Sequence, residues 1–62
     1  MNLKEALEIA VKDEAKAIKF YKGLAADADD PETRIMLEQI AYEEEGHLKR
    51  LGERLKAIKL VG

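Results

Sequence analysis

Apolar residues recur along this chain at alternating steps of three and four residues, the spacing of one face of an α-helix. In the first half of the chain this row consists of Leu3, Leu7, Ala10, Ala17, Tyr21, Leu24 and Ala28. In the second half it consists of Leu37, Ile40, Leu51 and Ile58, widened on one side by Ala41, Leu48 and Leu55. Most other residues are good helix formers, and β-branched residues are too sparse to indicate strands. The pattern predicts an all-α protein with two amphipathic helices.

The ends of these helices are marked by residues that favour capping. Asn2 precedes Glu5 by three residues, the spacing of a capping box, so the first helix should begin there. Pro31 disfavours a helical conformation at Asp30 and cannot donate a backbone hydrogen bond, so it ends the first helix. Asp30 as N-cap and Pro31 as the first helical residue then begin the second helix.

We predict one domain over residues 1–62, with a first helix at about 3–28, a turn at about 29–30 and a second helix at about 31–60. Each helix would be on the order of 40 Å long, and so short a turn permits only an antiparallel hairpin. Two helices cannot enclose a core, and a domain of this size is hard to stabilise alone. We therefore expect a homodimer that forms a four-helix bundle, and higher homo-oligomers remain open.

Composition narrows the available chemistry. The chain has no cysteine, which excludes disulfides, zinc–thiolate sites and iron–sulfur clusters and leaves oxygen and nitrogen donors. Its 11 basic and 13 acidic side chains are interleaved, as on a solvated surface, so no nucleic-acid partner is expected. No export signal and no segment of roughly 20 apolar residues are present, so we expect a cytoplasmic protein without a membrane partner.

Three polar residues interrupt the apolar rows: Glu14 in the first helix, and Glu44 and His47 in the second. They should lie at one level of the hairpin, because all three are about 15 to 18 residues from the turn. An unpaired carboxylate in an apolar seam costs several kcal/mol, so a cation or a proton should accompany it. Nearby basic residues fall on other helix faces, which favours a metal ion as the counter-charge; these are Lys12, Lys16, Lys19, Lys49 and Arg50.

A two-fold dimer would bring together four carboxylates and two imidazoles, a set that suits two metal ions. Glu14, Glu44 and His47 are therefore the candidate metal ligands and the candidate catalytic residues. Hard oxygen donors suit iron, but manganese or a mixed-metal site remains open because this ligand set does not distinguish these ions.

Two segments resemble known proteins. Residues 13–21 (DEAKAIKFY) look like the first helix of a rubrerythrin or ferritin-like half, and residues 40–47 (IAYEEEGH) look like its second helix. The resemblance spans nearly the whole chain but only half of the usual four-helix domain. It is therefore nearest to half-length, dimerising members of the ferritin-like di-iron proteins.

This resemblance implies roles for individual residues. It implies that Glu14 is the ligand from the first helix, Glu44 a bridging carboxylate and His47 a terminal nitrogen ligand. It also implies that Tyr21, two turns after Glu14, lies in the second shell of the site, where its hydroxyl could hydrogen-bond a ligand. A simple packing role for this aromatic ring remains open.

The resemblance also implies an activity, the oxidation of Fe(II) to Fe(III) by oxygen or peroxide for iron storage or detoxification. It implies two iron ions per dimer, one per chain, and makes a protein shell or nanocompartment a candidate partner and location. The alternative is a non-catalytic metal-binding module, or a purely structural helical assembly module in which a metal ion or a shared proton neutralises the central glutamates.

Overall fold

The computed structural model describes residues 1–61, which form two helices joined by a short link. Helix α1 spans Leu3–Asp27 and helix α2 spans Pro31–Val61. They pack against each other as a hairpin of about 47 × 17 × 11 Å. The predicted all-α class is confirmed, while dimerisation stays a prediction. Neither α1 nor α2 combines the length and the apolar character needed to cross a membrane.

Side chains cap the start of both helices. Asn2 Oδ1 accepts a hydrogen bond from the Glu5 backbone N–H at 2.8 Å, and Asn2 Nδ2 donates to the Glu5 carboxylate at 2.9 Å. At α2, Asp30 accepts a hydrogen bond from the Thr33 hydroxyl at 2.7 Å and one from the Thr33 backbone N–H at 2.8 Å. Both bonds favour the charged carboxylate, the hydroxyl bond most, and they hold the pKa of Asp30 below its ordinary value of 3.8.

The best-buried residues are two alanines, one in each helix. Ala25 of α1 and Ala41 of α2 are 3% and 2% exposed, and within residues 1–61 they are the only hydrophobic residues that are fully buried. Leu24, predicted on the inner row, is instead 41% exposed. Ala25 follows it by one residue, about 100° around the helix, and its methyl group lets the facing helix come close where a leucine would hold it off. The hairpin therefore has a very small core of its own.

The two sides of the hairpin differ in polarity. On one side, the charged side, Lys22 Nζ of α1 lies 3.4 Å from Glu45 Oε1 of α2. Phe20 and Leu24 are each two residues from Lys22, which is 200° at about 100° per residue, or 160° measured the shorter way around α1. Met36 is nine residues from Glu45, about half a revolution around α2. All three therefore lie on the side opposite the charged side. We call the side that bears Phe20, Leu24 and Met36 the open face. Phe20 and Met36 are 60% and 52% exposed there.

Candidate metal centre

The hairpin brings the three polar seam residues together at the middle of both helices. His47 Nδ1 lies 3.0 Å from Glu44 Oε1 on the same helix and 3.3 Å from Glu14 Oε2 across the hairpin. One potential ligand atom from each side chain lies within 4.8 Å of the others. The predicted juxtaposition of Glu14, Glu44 and His47 is present, because the three-residue spacing on α2 and the equal distances from the turn both place them at one level.

The two carboxylates and the imidazole differ in exposure. The Glu14 and Glu44 side chains are 23% and 20% exposed, whereas the His47 side chain is 47% exposed. His47 follows Glu45 by two residues, about 160° around α2, and so lies toward the open face. The cluster therefore has an inner part made of carboxylates and an outer part made of the imidazole.

One oxygen of Glu14 has no partner among residues 1–61. Glu14 Oε2 is shielded from solvent and accepts no hydrogen bond, although His47 Nδ1 lies 3.3 Å away. A shielded carboxylate oxygen without a donor is costly, and the cost falls when a cation binds it. Carboxylate oxygens and an imidazole nitrogen are donors that iron and manganese accept. The residues present thus fit a divalent metal ion.

Two arginines border this cluster. An open groove of about 530 Å³ is lined by Leu7, Glu14, His47, Arg50, Leu51 and Arg54. Arg50 lies about 120° around α2 from Glu44, on another face of the helix, but it follows His47 by three residues and its long side chain reaches along the helix surface. Neither arginine forms an ion pair with Glu14 or Glu44 in the described part of the chain. They border the site without neutralising it.

Tyr21 occupies the position expected for a neighbour of the ligands, but its contacts are with an aromatic ring. It is half-buried on the same face of α1 as Glu14, and its ring lies edge-on to Phe20 with centroids 5.3 Å apart and planes at 71°. Within residues 1–61 no hydrogen bond joins its hydroxyl to Glu14 or Glu44. Its predicted second-shell role stays a prediction.

Comparison with known proteins identifies the family. The family model described as Rubrerythrin matches residues 1–61. Searches of curated proteins and of solved structures returned no significant match. The family match covers both helices and all three residues of the metal cluster, and the length of two helices fits a half-length member. The chain therefore belongs to the rubrerythrin family, within the ferritin-like di-iron proteins.

Proposed function

We propose that this protein is a ferroxidase, in which a pair of hairpins binds Fe(II) as substrate at Glu14, Glu44 and His47 and oxidises it to Fe(III). The observation that carries this proposal is the solvent-shielded Glu14 Oε2, which accepts no hydrogen bond from the described residues 1–61 and lies 3.3 Å from a histidine nitrogen. Membership of the rubrerythrin family supports iron as the metal.

The open face supports a second copy as the missing half of the site. One chain offers two carboxylates and one imidazole, and the half-exposed His47 lies toward the open face. Phe20 and Met36 are exposed on the same face, and their burial would favour association by roughly 1.5–3 kcal/mol for each side chain fully covered. Two chains related by a two-fold axis would supply four carboxylates and two imidazoles, enough for two iron ions per dimer.

The residues suggest how the site would favour oxidation. Carboxylates stabilise Fe(III) more than Fe(II) because they are hard, negatively charged donors, so Glu14 and Glu44 lower the free energy of the product. With peroxide as oxidant, two Fe(II) ions give up one electron each, and H₂O₂ takes up two protons to become two water molecules.

The test measures iron binding and turnover together. Native mass spectrometry under anaerobic Fe(II) reports stoichiometry, and oxygen or peroxide consumption after Fe(II) addition reports turnover. We expect Glu14→Gln, Glu44→Gln and His47→Ala to lower the oxidation rate by at least about 10- to 100-fold, a loss seen even when partners of metal ligands are removed. The matched control is Glu45→Gln, next to Glu44 but on the charged side. Parental turnover in His47→Ala would contradict the proposal.

A second candidate is a non-catalytic assembly module, and one observation favours it. His47 Nδ1 lies close to both carboxylates, so a protonated imidazole would neutralise one of their two negative charges without metal. This candidate predicts a folded, metal-free dimer that consumes no oxidant when Fe(II) is added. It also predicts that His47→Gln destabilises the dimer whether or not a metal is present. In the same native mass spectra, the mass added by the bound ion distinguishes iron from manganese.

A further inference from the structure

Charges on α2 are separated along its length, although both signs occur throughout the chain. Residues 31–45 carry five carboxylates and one basic side chain, namely Glu32, Glu38, Glu43, Glu44, Glu45 and Arg34. Residues 46–61 carry five basic side chains and one carboxylate, namely Lys49, Arg50, Arg54, Lys56, Lys59 and Glu53. The first half of α2 is thus strongly acidic and the second half strongly basic.

Contacts within the hairpin satisfy few of these charges. Among residues 1–61 the only ion pair between α2 and a lysine or arginine of α1 joins Glu45 to Lys22 on the charged side, with both side chains about half exposed. Glu43 and Arg50 are exposed, and neither has an ion-pair partner in the described structure. Glu43 lies about 160° around α2 from Glu45, and Arg50 lines the groove beside His47. Both therefore border the open face.

We propose that two copies pair through their open faces with α2 antiparallel to α2 of the partner, so that Glu43 of each chain forms an ion pair with the partner's Arg50. The inference depends on the pairing of open faces in the proposed function and adds its orientation and register. An antiparallel arrangement places the acidic half of each α2 beside the basic half of the other. Opposite charges across an interface select the orientation of binding and suppress wrong arrangements.

The position of the site fits the same register. In an antiparallel pair, Glu43 and the partner's Arg50 are equidistant from a two-fold axis that passes between residues 46 and 47. That axis lies beside His47, at the level of the metal cluster, so the two sites of a dimer fall next to each other. The same register places Gln39 opposite the partner's Arg54. The charge pattern and the position of the metal cluster therefore indicate the same two-fold axis.

The rival orientation is less favourable. A two-fold axis parallel to the helices would set α2 against the partner's α1 and bring both turns to one end of the bundle. The region around each turn carries the carboxylates Asp27, Asp29, Asp30 and Glu32. Placing two such ends together adds like-charge repulsion that the antiparallel arrangement avoids.

Charge reversal tests the register directly. In a homodimer, Glu43→Arg places arginine opposite arginine twice, and Arg50→Glu places glutamate opposite glutamate twice. We expect either change to weaken homodimerisation by roughly tenfold or more at low salt, because two exposed pairs are lost and two repulsions are gained. The matched control is Glu38→Arg, the same change at an exposed glutamate of the charged side that has no ion-pair partner among residues 1–61, which should leave the dimerisation constant unchanged.

Mixing the two variants supplies the decisive measurement. A heterodimer of Glu43→Arg with Arg50→Glu restores both ion pairs, so native mass spectrometry of a one-to-one mixture should show the heterodimer well above the statistical half of all dimers. A single chain carrying both changes should also dimerise like the parent, which shows that the variants fold. Rising salt should reduce the preference, since exposed ion pairs are screened.

The outcomes separate this inference from the proposed function. If the mixture gives a statistical distribution while the variants stay dimeric and oxidise Fe(II), the antiparallel register is wrong and the shared site stands. If the parent stays monomeric at every concentration with Fe(II) present, both the register and the shared site are wrong. Preferential heterodimers with no iron oxidation support the register and contradict the ferroxidase.

Discussion

The turn end of the hairpin and its middle are built from the same two helices, yet only the turn end is complete within one chain. At the turn end Ala25 is buried against the facing helix, and Arg34 Nη2 donates a hydrogen bond to the Ala28 carbonyl at 3.1 Å. In the middle, a shielded oxygen of Glu14 lacks a donor among residues 1–61. The difference indicates that the turn end holds the hairpin together and that the middle is shaped for something the single chain does not contain.

The comparison also separates two kinds of stabilisation. Buried methyl groups and helix caps stabilise a structure with or without metal, whereas an unpaired carboxylate stabilises it only when a cation binds. Substitutions at the turn end should therefore change stability with or without metal. Substitutions in the middle should change mainly the response to metal.

The largest expected effect is at the middle. Glu14→Gln keeps the shape of the side chain and removes the charge that a metal ion would neutralise. Binding to the folded state alone adds about 2.7 kcal/mol to the free energy of unfolding when free metal is at 100 times its dissociation constant. We expect the parent to gain stabilisation of this order from anaerobic Fe(II), and Glu14→Gln to lose most of it. Chemical denaturation with and without Fe(II) measures both quantities.

Comparing the free energies of unfolding of the parent and Glu14→Gln without metal distinguishes a metal ligand from a residue with a purely structural role. Without metal, Glu14→Gln should be no less stable than the parent, because an amide costs less than a carboxylate in a shielded position without a donor. The control is Glu45→Gln, which should keep the full response to Fe(II). An undiminished iron response in Glu14→Gln would show that this carboxylate is not a ligand.

The sequence was sufficient to predict both the two helices and the juxtaposition of the candidate ligands. The three- and four-residue spacing specified the helices, and Pro31 specified where one ends and the next begins. Glu14, Glu44 and His47 could be placed together because a short turn leaves only one way to fold two long helices. Each of these inferences depends on local geometry that successive residues determine by themselves.

Details that depend on the distance between the helices could not be predicted in this way. Leu24 and Ala25 are consecutive residues about 100° apart around α1, on either side of the inner row, and only the close approach of α2 decides that the smaller one is buried. Arg50 borders the groove because a long side chain extends beyond the direction of its Cα, which a helical wheel does not represent. The residues that would cover the open face could not be predicted from the sequence pattern either, since they belong to another chain.

The second expected effect is at the turn end. Ala25→Leu inserts a larger side chain where Ala25 is 3% exposed, so the helices must move apart. Overpacking of this kind costs about 1–3 kcal/mol of stability. The loss should be the same with and without Fe(II), in contrast to Glu14→Gln. The control is Ala15→Leu, the same change at an exposed position of α1, and an equal loss there would show that the burial of Ala25 is not what makes this position sensitive.

The smallest expected effect concerns Asp30, which caps α2 at the turn end. Hydrogen bonds from Thr33 hold the pKa of Asp30 below its ordinary value of 3.8, so folding favours the charged form. The stabilisation is therefore complete above pH 3.8 and is lost as the pH falls through the lower pKa of the folded state.

Asp30→Asn keeps an acceptor at the N-cap but does not titrate. Denaturation of the parent and of Asp30→Asn is measured in parallel from pH 6 to about pH 2. The parent should lose stability relative to Asp30→Asn only at the acid end of this range. The control is Asp29→Asn, because Asp29 is one residue away and is not the N-cap. A constant difference across this range would mean that the Thr33 hydrogen bonds do not favour the charged carboxylate.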